Sequence, residues 1–178
     1  MTTPDSKNNQ AIGRWMVYAA WILLLALLTW FFNNYLEQQT NPNRRLAEFV
    51  SPDGSYQVSL ARNRYGHYVT SGLINDQPVT LLLDTGATHI SIPEAIARRL
   101  GLKRGVAQSV ITASGPITVY TTHLASVTIG LLEIRNLRGG INPYMAGDEI
   151  LLGMNFLRHV EIVQHGDRWI IKKPASNM

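Results

Sequence analysis

Three leucines run straight into an acid, a hydroxyl residue and a glycine in Leu81-Leu82-Leu83-Asp84-Thr85-Gly86-Ala87-Thr88. The apolar run after Pro78-Val79-Thr80 predicts a buried strand. A carboxylate at the end of such a strand stands where water is scarce. It has to be hydrogen-bonded, paired or held partly protonated. Gly86 allows a tight turn that brings backbone N–H groups to that carboxylate. Thr85 adds a hydroxyl that both donates and accepts. Asp-Thr-Gly is also ordinary turn chemistry, so the tripeptide has to be read with its surroundings.

Short strands are predicted around it: Tyr56–Leu60, His67–Ile74 and Val79–Leu83, the last two joined by Asn75-Asp76-Gln77-Pro78. Ser91-Ile92-Pro93-Glu94 has the pattern of a capping box, opening a helix that runs to about Leu100 with Gly101 as its cap. Ala95, Ile96 and Leu100 would form its apolar face. Val106–Thr112 and Ile117–Thr122 flank Ala113-Ser114-Gly115-Pro116 as a hairpin. Leu124–Ile129 and Glu133–Leu137 are further strands, and Gly139-Gly140 to Gly147 is expected to be a loop. A second apolar run, Ile150-Leu151-Leu152-Gly153-Met154-Asn155-Phe156-Leu157, leads into a short helix. Val160–Val163 and Arg168–Ile171 form a closing hairpin.

The 178 residues include one apolar segment of a different kind. Trp15–Phe32 carries no charge, and at ~1.5 Å rise per residue it just spans a hydrocarbon core of about 30 Å. Aromatic residues gather towards its ends, and no small-residue cleavage site follows, so it reads as a retained anchor. The expected divisions are a tail (1–14), the anchor (15–32), a polar linker (33–54), a folded domain (55–173) and a short tail (174–178). Arg14 abuts the amino-terminal edge, which favours a cytoplasmic amino terminus and a domain on the other side. The net charge of +4 is scattered, without a basic stripe interleaved with aromatics, so no nucleic-acid partner is expected. An anionic membrane surface accounts for the excess better. There is no cysteine, hence no disulfide framework.

The order of Asp84-Thr85-Gly86-Ala87, the glycine-bearing hairpin and Leu152-Gly153 before a short helix resembles the retroviral-type (retropepsin-like) aspartic proteases, in a membrane-anchored bacterial form. The resemblance covers roughly Gly66 to Lys173. It implies a mainly β fold: a closed β-barrel that is half of a site, with one short helix after the Asp motif and another after Gly153, preceded by one transmembrane helix. It implies an aspartic endopeptidase with Asp84 as the catalytic acid, supported by Thr85, Gly86, Ala87 and Thr88. Ala113, Ser114 and Gly115 would form a flap over bound peptide, and Leu152, Gly153 and Asn155 a structural motif. It also implies a bacterial inner-membrane location with a periplasmic domain.

Aspartic proteolysis needs two carboxylates about 3 Å apart sharing one proton. Of Asp5, Asp53, Asp76, Asp84, Asp148 and Asp167, only Asp84 is followed by Thr-Gly. One chain thus supplies half a site, and a two-fold homodimer would set Asp84 against its own copy. Such chemistry uses water and calls for no cofactor. The five histidines show no His-x-x-x-His pair or other metal-ligand spacing, so no metal is expected. The alternative is a non-catalytic dimer of the same fold that binds peptides or serves as a scaffold at the membrane.

Overall fold

The computed structural model describes residues 6–50, 55–112 and 115–173. It falls into two units, Met1–Gln39 and Thr40–Met178.

The first unit is helix α1, Ser6–Thr40. Its stretch Arg14–Thr40 is long and apolar enough to cross a bilayer. The expected boundaries at 14 and 32 are not structural ones, because the helix runs through both. Leu36, Glu37, Gln38 and Gln39 are good helix formers, and nothing in Asn33–Thr40 breaks the ladder. It stops where Pro42 disfavours the helical conformation at Asn41.

The linker expected over 33–54 is corrected at its other end too. Strand β1 (Ala47–Val50) pairs antiparallel with β2 (Tyr56–Ala61), Ala47 opposite Ser59. Asn43 is 5% exposed and fully engaged. Its Nδ2 donates to the carbonyls of Ala61 (2.8 Å) and Val69 (2.7 Å), and its Oδ1 accepts from Ala61 N (2.8 Å). A polar sequence had suggested a tether. Here the amide acts instead as a buried staple between strands, which composition alone does not distinguish.

The core of the second unit is a seven-stranded sheet in the order β3-β4-β9-β5-β8-β7-β6, with β7 also pairing with β3. Its members are β3 (Tyr68–Ile74), β4 (Gln77–Leu83), β5 (Ile90–Pro93), β6 (Ala107–Thr112), β7 (Gly115–Ile129), β8 (Leu132–Asn142) and β9 (Glu149–Leu152). The β3–β7 pairing, Leu73 opposite Thr128, closes the barrel that the resemblance implied and leaves the β6–β7 hairpin as an arm outside it. Asn75 and Asp76 both have positive φ, 49° and 63°, and form the two-residue β3–β4 turn that matches strand twist. A second sheet, β1-β2-β11-β10, adds β10 (Glu161–His165) and β11 (Arg168–Lys172). Val58, Leu60 and Ile171 of that sheet share one core with Leu81, Ile92, Leu124 and Phe156. Tyr68 stacks on Trp169 between the sheets, ring centroids 4.0 Å apart.

Three local expectations are corrected. Ser91 is not a helix cap: it lies in β5, its hydroxyl 3.7 Å from Met145 Sδ, and Pro93 caps helix α2 (Glu94–Arg99) without a side-chain bond. The α2 face buries Ile96, Ala97 and Leu100, while Ala95 is exposed. Gly139 and Gly140 are not a loop. They are paired within β8 against β7 and, in parallel, against β5. The packing there is close: a Cβ on Gly139 would lie 3.1 Å from Ile92 Cδ1, which would have to give way. The end of α2 is as read, with Gly101 at φ +66°, Gly101 N donating to Arg98 O and Leu102 N to Ala97 O.

Replacing Asn43 by alanine strands the Ala61 N–H and two carbonyls in a buried place. Each such loss costs about 1–3 kcal/mol. Asn43→Ala is therefore expected to lower stability by about 2–4 kcal/mol, read as a shift of the urea midpoint with unchanged slope.

Candidate active site

Strand β4 delivers Asp84. Val79, Leu81 and Leu83 are buried in the core, and Thr80 and Leu82 take the opposite, partly exposed face. Asp84 continues that outer alternation and is half-buried. The chain then turns back on its carboxylate. Gly86 N donates to Asp84 Oδ1 at 2.8 Å, and Ala87 N to the Asp84 carbonyl at 3.3 Å. A Cβ on Gly86 would stand 3.2 Å from the same carboxylate oxygen, so a larger residue would press on it. Thr85, Gly86 and Thr88 are exposed, and Ala87 is half-buried.

Strand β9 and helix α3 (Met154–Leu157) hold this loop. β4 and β9 run parallel, with Leu82 opposite Leu151 and Leu83 opposite Leu152. Asp84 N extends the ladder to Leu152 O at 3.0 Å, Met154 N donates to Ala87 O at 2.8 Å and Asn155 N to Thr88 O at 3.1 Å. Gly153 sits where the two segments cross. A Cβ there would lie 2.6 Å from Ala87 O and 2.7 Å from His89 O. Its φ of −87° suits any residue, so space rather than conformation demands glycine.

The Asn155 side chain completes the clamp. Its Oδ1 accepts from Ile90 N at 2.9 Å, and its Nδ2 donates to Arg138 O at 2.7 Å. One amide thus ties the loop after Asp84 to both β5 and β8. The sequence pointed to Asn155 only through a motif; its two partners, 65 and 17 residues away, come from the topology.

The other named residues lie apart from this loop. Gly115 opens β7 with φ +110°, a left-handed value that favours glycine, and Thr112 Oγ1 donates to its carbonyl at 2.8 Å. Ala113 and Ser114, also named for the arm's tip, lie outside the described residues. Ile111, near the tip, is 92% exposed. Arg104 grips the arm's root, pairing with Glu94 of α2 and lying 4.5 Å over the Tyr120 ring.

Sequence reasoning passed over Glu149. Register places it opposite Thr80, on the same partly exposed face as Leu151, Leu82 and Asp84. Burial raises its carboxyl above the usual carboxylate range, the adjacent Asp148 charge adds to the rise, and His67 opposes it. Only strand pairing reveals that this acid shares a face with Asp84.

A closed β-barrel carrying an Asp-Thr-Gly loop at a strand end, clamped by a Leu-Gly turn and short helix, is the fold of a retropepsin-like aspartic protease. The profile of the family described as "gag-polyprotein putative aspartyl protease" matches residues 70–159, half of the chain, and the chain belongs to that family. The crystal structure of a retropepsin-like aspartic protease from Rickettsia conorii superposes with a TM-score of 0.58 at 27% identity, covering 72% of this chain and 96% of that one. An uncharacterized protein from the cobV 5′ region of a Sinorhizobium species is 26% identical over 82% of this chain and 67% of its own length. An uncharacterized protein of Rickettsia prowazekii is 30% identical over 57% of this chain, which spans only 44% of it.

Asn155→Asp keeps the acceptor for Ile90 N but faces the Arg138 carbonyl with a carboxyl. Protonated, it can still donate; ionised, it repels. The folded-state pKa of the new acid is then raised, so its stability contribution is present at low pH and lost as pH rises through that value. The stability deficit of Asn155→Asp against wild type should widen from about pH 4 to pH 7. Equal denaturation midpoints across that range would show that the Arg138 bond does not hold the loop.

Proposed function

We propose that the protein is a membrane-anchored aspartic endopeptidase whose site is completed by two copies of the chain. The observation that carries this reading is the Asp84 carboxylate, held half-buried by the Gly86 N–H in a loop clamped from behind. A peptide-binding scaffold has no use for an acid positioned in this way. Membership of a protease family supports the same reading.

Among the described residues the other aspartates are committed elsewhere. Asp76 forms the β3–β4 turn, Asp148 precedes β9, and Asp167 lies in the β10–β11 turn, 3.8 Å from Arg62. The second carboxylate is therefore Asp84 of the partner subunit, brought in by an isologous interface. With one proton shared, the ionised Asp84 takes a proton from water as that water attacks the scissile carbonyl carbon. The protonated one donates to the carbonyl oxygen, giving a tetrahedral diol. Collapse breaks the C–N bond as a proton passes to the leaving nitrogen. Thr85 lies at the dimer axis, Gly86, Ala87 and Thr88 flank bound peptide, and the arm with Ala113, Ser114 and Gly115 closes over it.

The helix Arg14–Thr40 is the anchor, inserted in a bacterial inner membrane with the domain on the periplasmic side. Tethering confines the two half-sites to a thin layer and raises their effective concentration.

Peptide pools incubated with the full-length protein should be cut by wild type and not by Asp84→Asn, which keeps the fold. The pH–rate profile should be a bell with its optimum on the acidic side of neutral, because the pair titrates together. Cleavage by the Asn variant would remove Asp84 from the chemistry. A protein beginning at Thr40 retains the Asn43 staple, and its specific activity should fall on dilution while that of the membrane-bound chain holds. A monomeric mass with undiminished activity would refute the shared site. Gly115→Val should lower kcat/KM about tenfold through strain at φ > 0, with little loss of stability. In spheroplasts, added protease should remove the domain; full protection would reverse the proposed topology.

A further inference from the structure

We propose that Glu149 selects substrates with a lysine or arginine side chain beside the scissile bond. This rests on the endopeptidase reading of the Asp84 site and names its substrate class.

The geometry comes from the parallel β4–β9 pair. Thr80, Leu82 and Asp84 follow one another on the outer face of β4, and Glu149 and Leu151 occupy the matching positions of β9. Leu82 and Leu151, directly opposite and each half-buried, form an apolar step next to Asp84. Glu149 lies one same-face position beyond Leu151, four residues before the level of Asp84, about 13 Å along the strand. With the scissile bond of an extended peptide at Asp84, that distance is spanned when the lysine or arginine side chain and the Glu149 side chain extend towards each other over the outer face of the two strands. The aliphatic stem of lysine or arginine suits the Leu82–Leu151 step, and its charged head then meets the carboxylate.

Glu149 differs from the other strand and helix glutamates in its surroundings. Among the described residues no lysine or arginine pairs with it, whereas Glu94 and Glu133 pair with Arg104 and Arg135. Burial and the neighbouring Asp148 disfavour its ionised form, and His67 favours it. A half-buried acid in that position is relieved by an incoming cation, and a guanidinium or ammonium gains a charge-assisted hydrogen bond away from bulk water. A neutral side chain leaves the acid uncompensated, and an acidic one adds repulsion. Discrimination thus acts in both directions.

The test uses the full-length protein in detergent and decapeptides that differ at one position near the scissile bond, carrying Lys, Arg, Leu or Glu there. Wild type should cut the Lys and Arg peptides with kcat/KM at least tenfold above Leu, and Glu least of all. Glu149→Gln should bring the Lys-to-Leu ratio close to one, and Glu149→Lys should favour the Glu peptide. Cleavage with no basic preference, or with a preference that survives Glu149→Gln, overturns the inference and leaves the endopeptidase reading standing. The same peptides are then titrated onto Asp84→Asn by fluorescence polarisation. If wild type cuts nothing but Lys and Arg peptides bind at least tenfold tighter in a Glu149-dependent way, the groove assignment holds and the endopeptidase reading falls. Neither cleavage nor selective binding overturns both.

Discussion

The crossing of Gly153 behind Ala87 and His89 is the contact on which the rest of the site depends. Backbone meets backbone there with no room for a methyl group. That closeness lets Met154 N and Asn155 N reach the carbonyls of Ala87 and Thr88. It also lets Asp84 N continue the β4–β9 ladder to Leu152. The Asp84 loop is therefore fixed by main-chain groups, whose positions do not depend on rotamers. Its side chains remain free to meet substrate or a second copy.

The division of labour between sheets follows. The barrel owns the loop, and its two leucine-rich strands bury one face in the core while offering the other outward. The second sheet closes the bottom of the core through Val58, Leu60 and Ile171, with Tyr68 and Trp169 stacked at the seam. The staple at Asn43 draws the segment after the helix into the same unit, so the folded domain begins at about Thr40 rather than Ser55.

Much of this was legible because local chemistry and tertiary structure agreed. Asn75-Asp76 between apolar runs could only turn, Gly101 could only cap, and a leucine run before Asp84 could only be a strand with a face in the core. The misreadings share a cause. Gly139-Gly140 looks like a loop because glycine usually marks one, yet here it marks two strands packed closely on either side. Ser91 and Glu94 have capping-box spacing, but pairing of Ser91 with Gly140 and Leu151 commits that residue to a strand. The segment 33–54 read as a polar linker because the partners of a residue such as Asn43 cannot be seen when they lie far along the chain. The place of Glu149 was hidden for the same reason: it needs the register of a strand that begins 66 residues after its partner strand ends.

The parallel pairing of β4 with β9 also sets an order of events in time. Asn155 reaches back across 65 residues to Ile90, and β11 reaches further still, to β2. Contacts of such long sequence separation form slowly, since the loop between them must close before any bond rewards it. The Asp84 loop is made early by the ribosome but gains its clamp only after the chain has emerged as far as Asn155. A nascent chain therefore carries an acid without a frame, and the loop acquires its working shape only once the segment from Leu152 to Asn155 has followed it out.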